Sequence, residues 1–310
     1  MTIEIIGAES LGVRSLCCLV TTEKRRIVID PGVALGYWRF GLMPHPCQIV
    51  IGARVRQRIV DALGQATDAI FSHMHGDHVP LAHANPYQLS IQQLPSEFQS
   101  LSCWSMSPED MSSKMQQRFH DLKDLLKDNL HIAEGSRQGP LTFSKPVPHG
   151  TPDSPSGSVM MSRIDMGNQI FVHASDIQLL NEKTIHHIIE WQPDIVLAAG
   201  PPLYLSVLTS QQRDLAWSNA LRLCENVDVV ILDHHLMRSE EGFDWLEALS
   251  DKSGKRIYCA ADFMGKPRWL LEAHRHQLYQ QIPLPKGWHD EYAAQRANPR
   301  EYFDAALLVS

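Results

Sequence analysis

Apolar residues arrive in short bursts at the start of this chain. Residues 3–6, 15–21 and 26–29 are each mostly apolar or β-branched over the length of a strand, with Glu4, Ser15 and Arg26 the exceptions. The polar stretch Thr22-Glu23-Lys24 joins the second burst to the third, so the pattern predicts antiparallel pairing there, and Asp30-Pro31-Gly32 stops the third strand. Over residues 52–67, Val55, Ile59, Val60 and Leu63 recur at helical spacing, and 68–72 follows as a buried strand that runs directly into His73-Met74-His75-Gly76-Asp77-His78. Residues 103–137 change character. Ser107-Pro108-Glu109-Asp110 has the form of a helix start, and the polar stretch after it is punctuated by Met115, Phe119, Leu122, Leu125 and Leu126, which predicts a helical insertion. Residues 141–148 return to strand composition and end on His149, after which 150–157 is a Pro, Gly and Ser-rich turn region.

The second half alternates. A strand pair at 159–164 and 169–173 precedes helix 181–191, strand 194–199, helix 210–223, strand 227–232, helix 240–250 and strand 256–260. Two halves of similar build, with polar loops at the strand ends, predict an α/β (α+β) fold: a four-layer αββα sandwich of two mixed sheets flanked by helices. The expected organisation is one domain over 1–265, with the insertion inside it, and a C-terminal helical extension over 266–310 packed on that domain.

At 310 residues, 44% of them hydrophobic, the chain can bury a substantial core. Its 28 Lys and Arg stand against 35 Asp and Glu, a formal charge of −7, and apart from Lys24-Arg25-Arg26 the cations are scattered. Nucleic acid is therefore a disfavoured partner, and a small-molecule substrate, with homo-oligomer formation left open, is the expectation. Cys17, Cys18, Cys47, Cys103, Cys224 and Cys259 show no CxxC pairing, and several sit inside apolar runs, so they read as reduced core thiols. No run approaches the roughly 18 uninterrupted apolar residues of a membrane span, and the cytoplasm is the expected compartment.

The six residues from His73 to His78 hold four ligand-type side chains directly after an apolar strand. Imidazole nitrogens and carboxylate oxygens are donors suited to zinc, iron or manganese. Alternate residues leaving a strand point the same way, so His73 and His75 can grip one ion while Asp77 and His78, beyond the turn at Gly76, face a second. A metal-free surface cluster is the bland alternative, but imidazoles this close repel when protonated. The other histidines, His45, His83, His120, His131, His186, His187, His274, His276 and His289, lie outside any ligand spacing and read as surface or core side chains.

On these residues the chain resembles the metallo-β-lactamase superfamily. Asp30, in Val28-Ile29-Asp30-Pro31-Gly32, matches a first motif that holds the metal loop by hydrogen bonding, and the histidine cluster is the second motif. His149, in Pro146-Val147-Pro148-His149-Gly150, stands where a third histidine completes the first metal. Asp176, in His173-Ala174-Ser175-Asp176, stands where a carboxylate bridges both metals, and Asp233-His234-His235 takes the place of the last histidine motif. All five occur in order. The wording of Leu11-Gly12-Val13-Arg14-Ser15 and Gly200-Pro201-Pro202-Leu203-Tyr204, among other phrases, is similar to a mainly archaeal branch of metal-dependent hydrolases predicted from sequence.

The resemblance implies two divalent ions, with zinc favoured over iron or manganese. The first would take His73, His75 and His149, and the second Asp77, His78 and His235 or His234, with Asp176 bridging. Strand alternation sends His234 and His235 to opposite faces, and His235 is the favoured ligand. His173 is a candidate supporting partner. Arg14, Lys145 and Tyr204, in loops near motif residues, are candidate contacts for an anionic substrate. Separately, Asp30 also fits a turn former, His149 a loop cap and Asp176 a helix N-cap. The expected enzyme is a hydrolase in which a metal-activated water, its pKa lowered from about 15.7 towards 7, attacks an ester-like or phosphodiester bond while Asp77 or Asp176 shuttles the proton. A nuclease of the same superfamily, a di-iron redox protein and a non-catalytic metal-dependent sensor are the rival readings.

Overall fold

The computed structural model describes residues 1–152 and 157–302. The N-terminal strands are β1 (Thr2–Ile5), β2 (Cys18–Thr21) and β3 (Arg26–Ile29), an antiparallel meander in which Leu19 pairs with both Glu4 and Val28. Helix α1 (Pro46–Leu63) carries the chain over to β4 (Asp68–Phe71), which is buried at every position and lies parallel to β3. β5 (Ser102–Ser105) pairs parallel to β4 and β6 (Leu130–Ile132) parallel to β5, with α2 (Ser113–Leu126) as the crossover between them. These six strands form the first sheet in sequential order. Parallel neighbours need such crossovers because a tight turn can join only antiparallel strands.

The second sheet is built from β7 (Arg137–Gln138), β8 (Leu141–Phe143), β11 (Ser162–Asp165), β12 (Ile170–Ser175), β13 (Ile195–Ala198) and β14 (Val229–Leu232), in the order β14-β13-β12-β11-β8-β7. β9 (Val147–Pro148) and β10 (Ser158–Val159) form a separate two-stranded ribbon. Helices α3 (Glu182–Glu190) and α4 (Ser210–Asn226) are the crossovers of the parallel strands β12, β13 and β14. α5 (Glu241–Ser253), α6 (Ala260–Phe263), α7 (Arg275–Gln281) and α8 (Trp288–Ala293) follow β14. This is the expected architecture of two mixed sheets with helices. One cluster of buried apolar side chains runs from Ile5 in β1 to Leu278 in α7 and Trp288 in α8, so the C-terminal helices share the core of the sheets. No helix among the described residues is long and apolar enough to cross a membrane. All six cysteines are buried and unpaired.

Three local expectations change. Residues 103–137 hold one α-helix, not a helical insertion: β5 and β6 are strands of the first sheet, and β6 escapes notice because only Leu130 of its three residues is buried. Residues 256–260 make a single bridge, Tyr258 with Ile231, in place of a strand, because Asp233 Oδ2 takes the Ala260 amide at 2.8 Å and α6 begins there. α1 begins at Pro46, not at 52: His45 and Gln48 form a capping box, and proline suits the first helical position. The turn read at 150–157 falls partly outside the described residues, at 153–156, as does the end of the C-terminal extension at 303–310.

Candidate metal centre

Every motif residue sits where a strand ends. β4 delivers Ser72 and His73, β12 ends on Ser175 before Asp176, and β14 is followed by Asp233 and His234. Asp30, one residue past β3, is the hub. Its Oδ1 accepts the Ser72 amide at 2.8 Å, and its Oδ2 accepts the Ser72 hydroxyl at 2.7 Å, the Ser175 hydroxyl at 2.8 Å and His78 Nδ1 at 3.0 Å. Gly32 brings this turn onto the metal loop: a Cβ there would lie 2.2 Å from the Val79 amide nitrogen, closer than any side chain allows. Asp30 is a structural anchor, as its motif position implies.

The anchoring fixes the rings. His78 donates from Nδ1 to Asp30, His73 Nδ1 bonds Ser72 Oγ at 2.8 Å, and His149 Nδ1 lies 3.2 Å from the Gln178 side-chain amide. Each ring's Nε2 then faces inward, on Asp176. His78 Nε2 stands 3.1 Å from Oδ1, and His149, His235 and His73 Nε2 stand 3.1, 3.3 and 3.6 Å from Oδ2. His234 Nε2 lies 3.6 Å from Asp176 Oδ1 and 3.5 Å from Asp77 Oδ2.

Buried polar atoms in proteins are almost always hydrogen-bonded. His73 Nε2, His78 Nε2 and Asp176 Oδ1 are buried with no hydrogen-bond partner among the described residues, although they face one another at a few ångströms. That arrangement fits donors waiting for a shared cation, with outer partners fixing the tautomers. His73, His75, His149 and Asp176 each offer an atom within 4.8 Å of the others, and Asp77, His78 and His234 form a second such set. The geometry thus brings together all the sequence-predicted ligands and groups His234, not the favoured His235, with Asp77 and His78. His235 joins Asp176 and His234 in a third set.

The electrostatics follow from burial. Desolvation pushes His73 well below the ordinary imidazole range, and its neighbours His78 and His75 push the same way; His75 is lowered to about 4 by burial. Burial alone would raise Asp176, but His78, His234 and His235 overcome it and hold the carboxyl well below its usual value. His78 runs opposite: although burial disfavours its charge, the Asp176 and Asp30 carboxylates raise it strongly. His75 and Asp77 are the partly exposed members, so the open side of the site lies over them.

The remaining candidates part company. His173 does not support Asp176: its Nε2 donates to the Leu16 carbonyl at 2.9 Å, a bond from the second sheet to the segment before β2. Arg14 is committed to Glu272, with Nε 2.7 Å from Oε2, and Lys145 is exposed with its stem beside Gly135. Tyr204 is near the centre through Arg238, a residue the sequence did not single out. Arg238 is 6% exposed, and its Nη2 lies 2.7 Å from His234 Nε2 and 3.5 Å from Asp77 Oδ2. Nη1 donates to the Tyr204 hydroxyl at 3.3 Å and Nε to Glu9 Oε2 at 3.3 Å. Burial and the neighbouring Glu272 raise Glu9, whereas Arg14 holds Glu272 below its usual value despite burial. The only sequence signal for Arg238 was a cation in the buried run Leu236-Met237-Arg238 after the histidine doublet. Ser72, Ser175 and Gln178 were likewise missed, because hydroxyls and amides beside motif residues carry no spacing of their own.

No family profile matches the chain. It is 43% identical over 302 residues to a UPF0282 protein of Methanosarcina mazei, covering 97% of this chain and 99% of that one. It is 33% identical over 305 residues to a UPF0282 protein of Pyrococcus furiosus, covering 93% and 96%. Among solved structures it is similar to the metallo-beta-lactamase fold protein YhfI of Bacillus subtilis, with a TM-score of 0.50 at 12% identity over 83% of this chain and 95% of that one. Tm1679, described as a metal-dependent hydrolase of the beta-lactamase superfamily, also gives 0.50 at 12% identity, over 83% and 94%.

Proposed function

The chain belongs to the UPF0282 family and has the metallo-β-lactamase fold, and on that footing we propose that it is a metal-dependent hydrolase acting on an ester-like or phosphodiester bond of a small molecule. The observation that carries the reading is the convergence of His73, His75, His149 and Asp176 with unpartnered buried donor atoms at the centre. His73, His75, His149 and Asp176 would hold one divalent ion, and Asp77, His78 and His234 with Asp176 a second, zinc being the favoured element. A divalent ion bound there supplies an acidified water and a Lewis-acid contact for a substrate oxygen.

The protein's own groups do the rest. Asp30 fixes the His78 ring through Nδ1, so that Nε2 is the nitrogen turned to the centre. Asp77, with its side chain 18% exposed on the open side, is placed to take a proton from that side and pass it to solvent. Exposed Tyr37, Trp38 and Phe40 flank Arg39, whose guanidinium lies 4.7 Å over the Tyr204 ring, and Tyr204 in turn touches Arg238. This aromatic approach suits the uncharged part of a small substrate.

The test is a metal count by plasma mass spectrometry on untagged protein, with hydrolysis of generic carboxylic and phosphodiester substrates before and after chelation. His75→Ala is expected to lose about one metal equivalent per chain while circular dichroism stays native. Unchanged metal content in that variant, or turnover indifferent to chelation, would overturn the proposal.

A further inference from the structure

The structure assigns the Arg238 guanidinium the part of a built-in cation at the second metal position, so that this chain holds one ion firmly on His73, His75, His149 and Asp176 and a second only weakly. The inference rests on the metal-dependent reading above and refines it.

The two donor sets are unequal. Among the described residues His73 Nε2 of the first and His78 Nε2 of the second have no hydrogen-bond partner, and His149 Nε2 of the first meets the Asp176 carboxylate of its own set at 3.1 Å. In the second, His234 Nε2 already faces Arg238 Nη2 at 2.7 Å, and the Asp77 carboxylate is paired with the same nitrogen at 3.5 Å. Metal–imidazole bonds are about 2.1 Å long, so an ion on His234 would stand no more than about 5 Å from a positive guanidinium, in a region with little water to screen the repulsion.

The arginine is not free to step aside. Its Nε is tied to Glu9 and its Nη1 to Tyr204, and its carbonyl accepts from Arg39 Nη2 at 3.1 Å. The turn that carries it, Leu236–Arg238, is seated on α5, where a Cβ on Gly242 would lie 2.0 Å from the Leu236 carbonyl oxygen. Glu9 offsets part of the charge, which turns exclusion into weakening. A gap of about 100-fold between the two binding steps is the expected size for a cation–cation contact so screened.

The experiment is calorimetric titration of zinc into the chelator-stripped full chain, native and as Arg238→Met and Arg238→Lys. The native chain should give one tight step and a second about 100-fold weaker. Arg238→Met, which keeps bulk and removes charge, should tighten the second step by about 30-fold or more and leave the first unchanged, while Arg238→Lys should keep it weak. Two equally tight steps in the native chain would overturn the inference by themselves, whether or not the variants fold. So would a second step that is unmoved in Arg238→Met, or equally tightened in Arg238→Lys. No zinc uptake at all would sink the metal-dependent reading along with it, whereas two equal steps would leave that reading standing.

Discussion

Asp30, Ser175 and His234 share a left-handed backbone, with φ of 49°, 52° and 42°. A non-glycine residue there costs about 1–3 kcal/mol, and such strain persists only where surrounding bonds fix it. All three stand at strand ends around the same centre, and Asp30 and Ser175 are held by one hydrogen bond to each other. The same fact explains what the sequence hid. His73, His75, Asp77 and His78 were legible from their spacing directly after a strand, whereas His149 and Asp176 were legible only through the motif order of the family the chain resembles. The choice between His234 and His235 was not, because alternation along a strand no longer applies once His234 turns left-handed. Removing the hub should be costly: Asp30→Ala leaves Ser72, Ser175 and His78 without their buried acceptor, and a loss of about 3 kcal/mol is expected in urea unfolding of the chelated protein. A loss below about 1 kcal/mol would show that the strained turns stand without it.

Elements were legible in proportion to length. α1, α3 and α4 follow helical periodicity and β4 stands out as a short buried run, but β6 is a three-residue edge strand and β7 has two exposed residues, too few to carry a pattern. The start of α1 was hidden for a different reason: histidine is an unusual cap. His45 Nδ1 accepts the Cys47 amide at 3.3 Å, and its Nε2 donates to the Ile282 carbonyl at 3.0 Å. Burial lowers its pKa from 6.5 to about 4. As pH falls below about 6.5 the unfolded chain takes a proton on this ring that the folded chain refuses until about 4, so stability present above that window is lost through it, by up to about 3 kcal/mol. Asparagine can cap and donate without titrating. His45→Asn should therefore flatten the decline in unfolding free energy between pH 6.5 and 4 relative to the native chain; an unchanged slope would assign the decline to other groups.

For the molecule as a whole, the rhythm of strands and helices was enough to predict two mixed sheets, because each half is a meander followed by crossover units. The band of buried charge from Arg14 and Glu272 to Glu9 and Arg238 was not legible, since its members lie in segments remote in sequence and meet only when the C-terminal segment folds back on the N-terminal one.

The six buried thiols give the fold an internal clock. Disulfide exchange needs an exposed thiolate, and burial raises every one of these cysteines, Cys47 and Cys224 to about 11. An aromatic disulfide reagent added to the folded chain should consequently label at a rate set by local opening and independent of reagent concentration once the reagent is in excess. Cys18 on β2 and Cys17 just before it should be last to react, and Cys47, equally buried but with its sulfur donating to the carbonyl of Tyr302, the last described residue, should precede them. Mass spectrometry of the labelled peptides would record the order; Cys17 reacting ahead of Cys47 would mean that the first sheet opens before the C-terminal segment detaches.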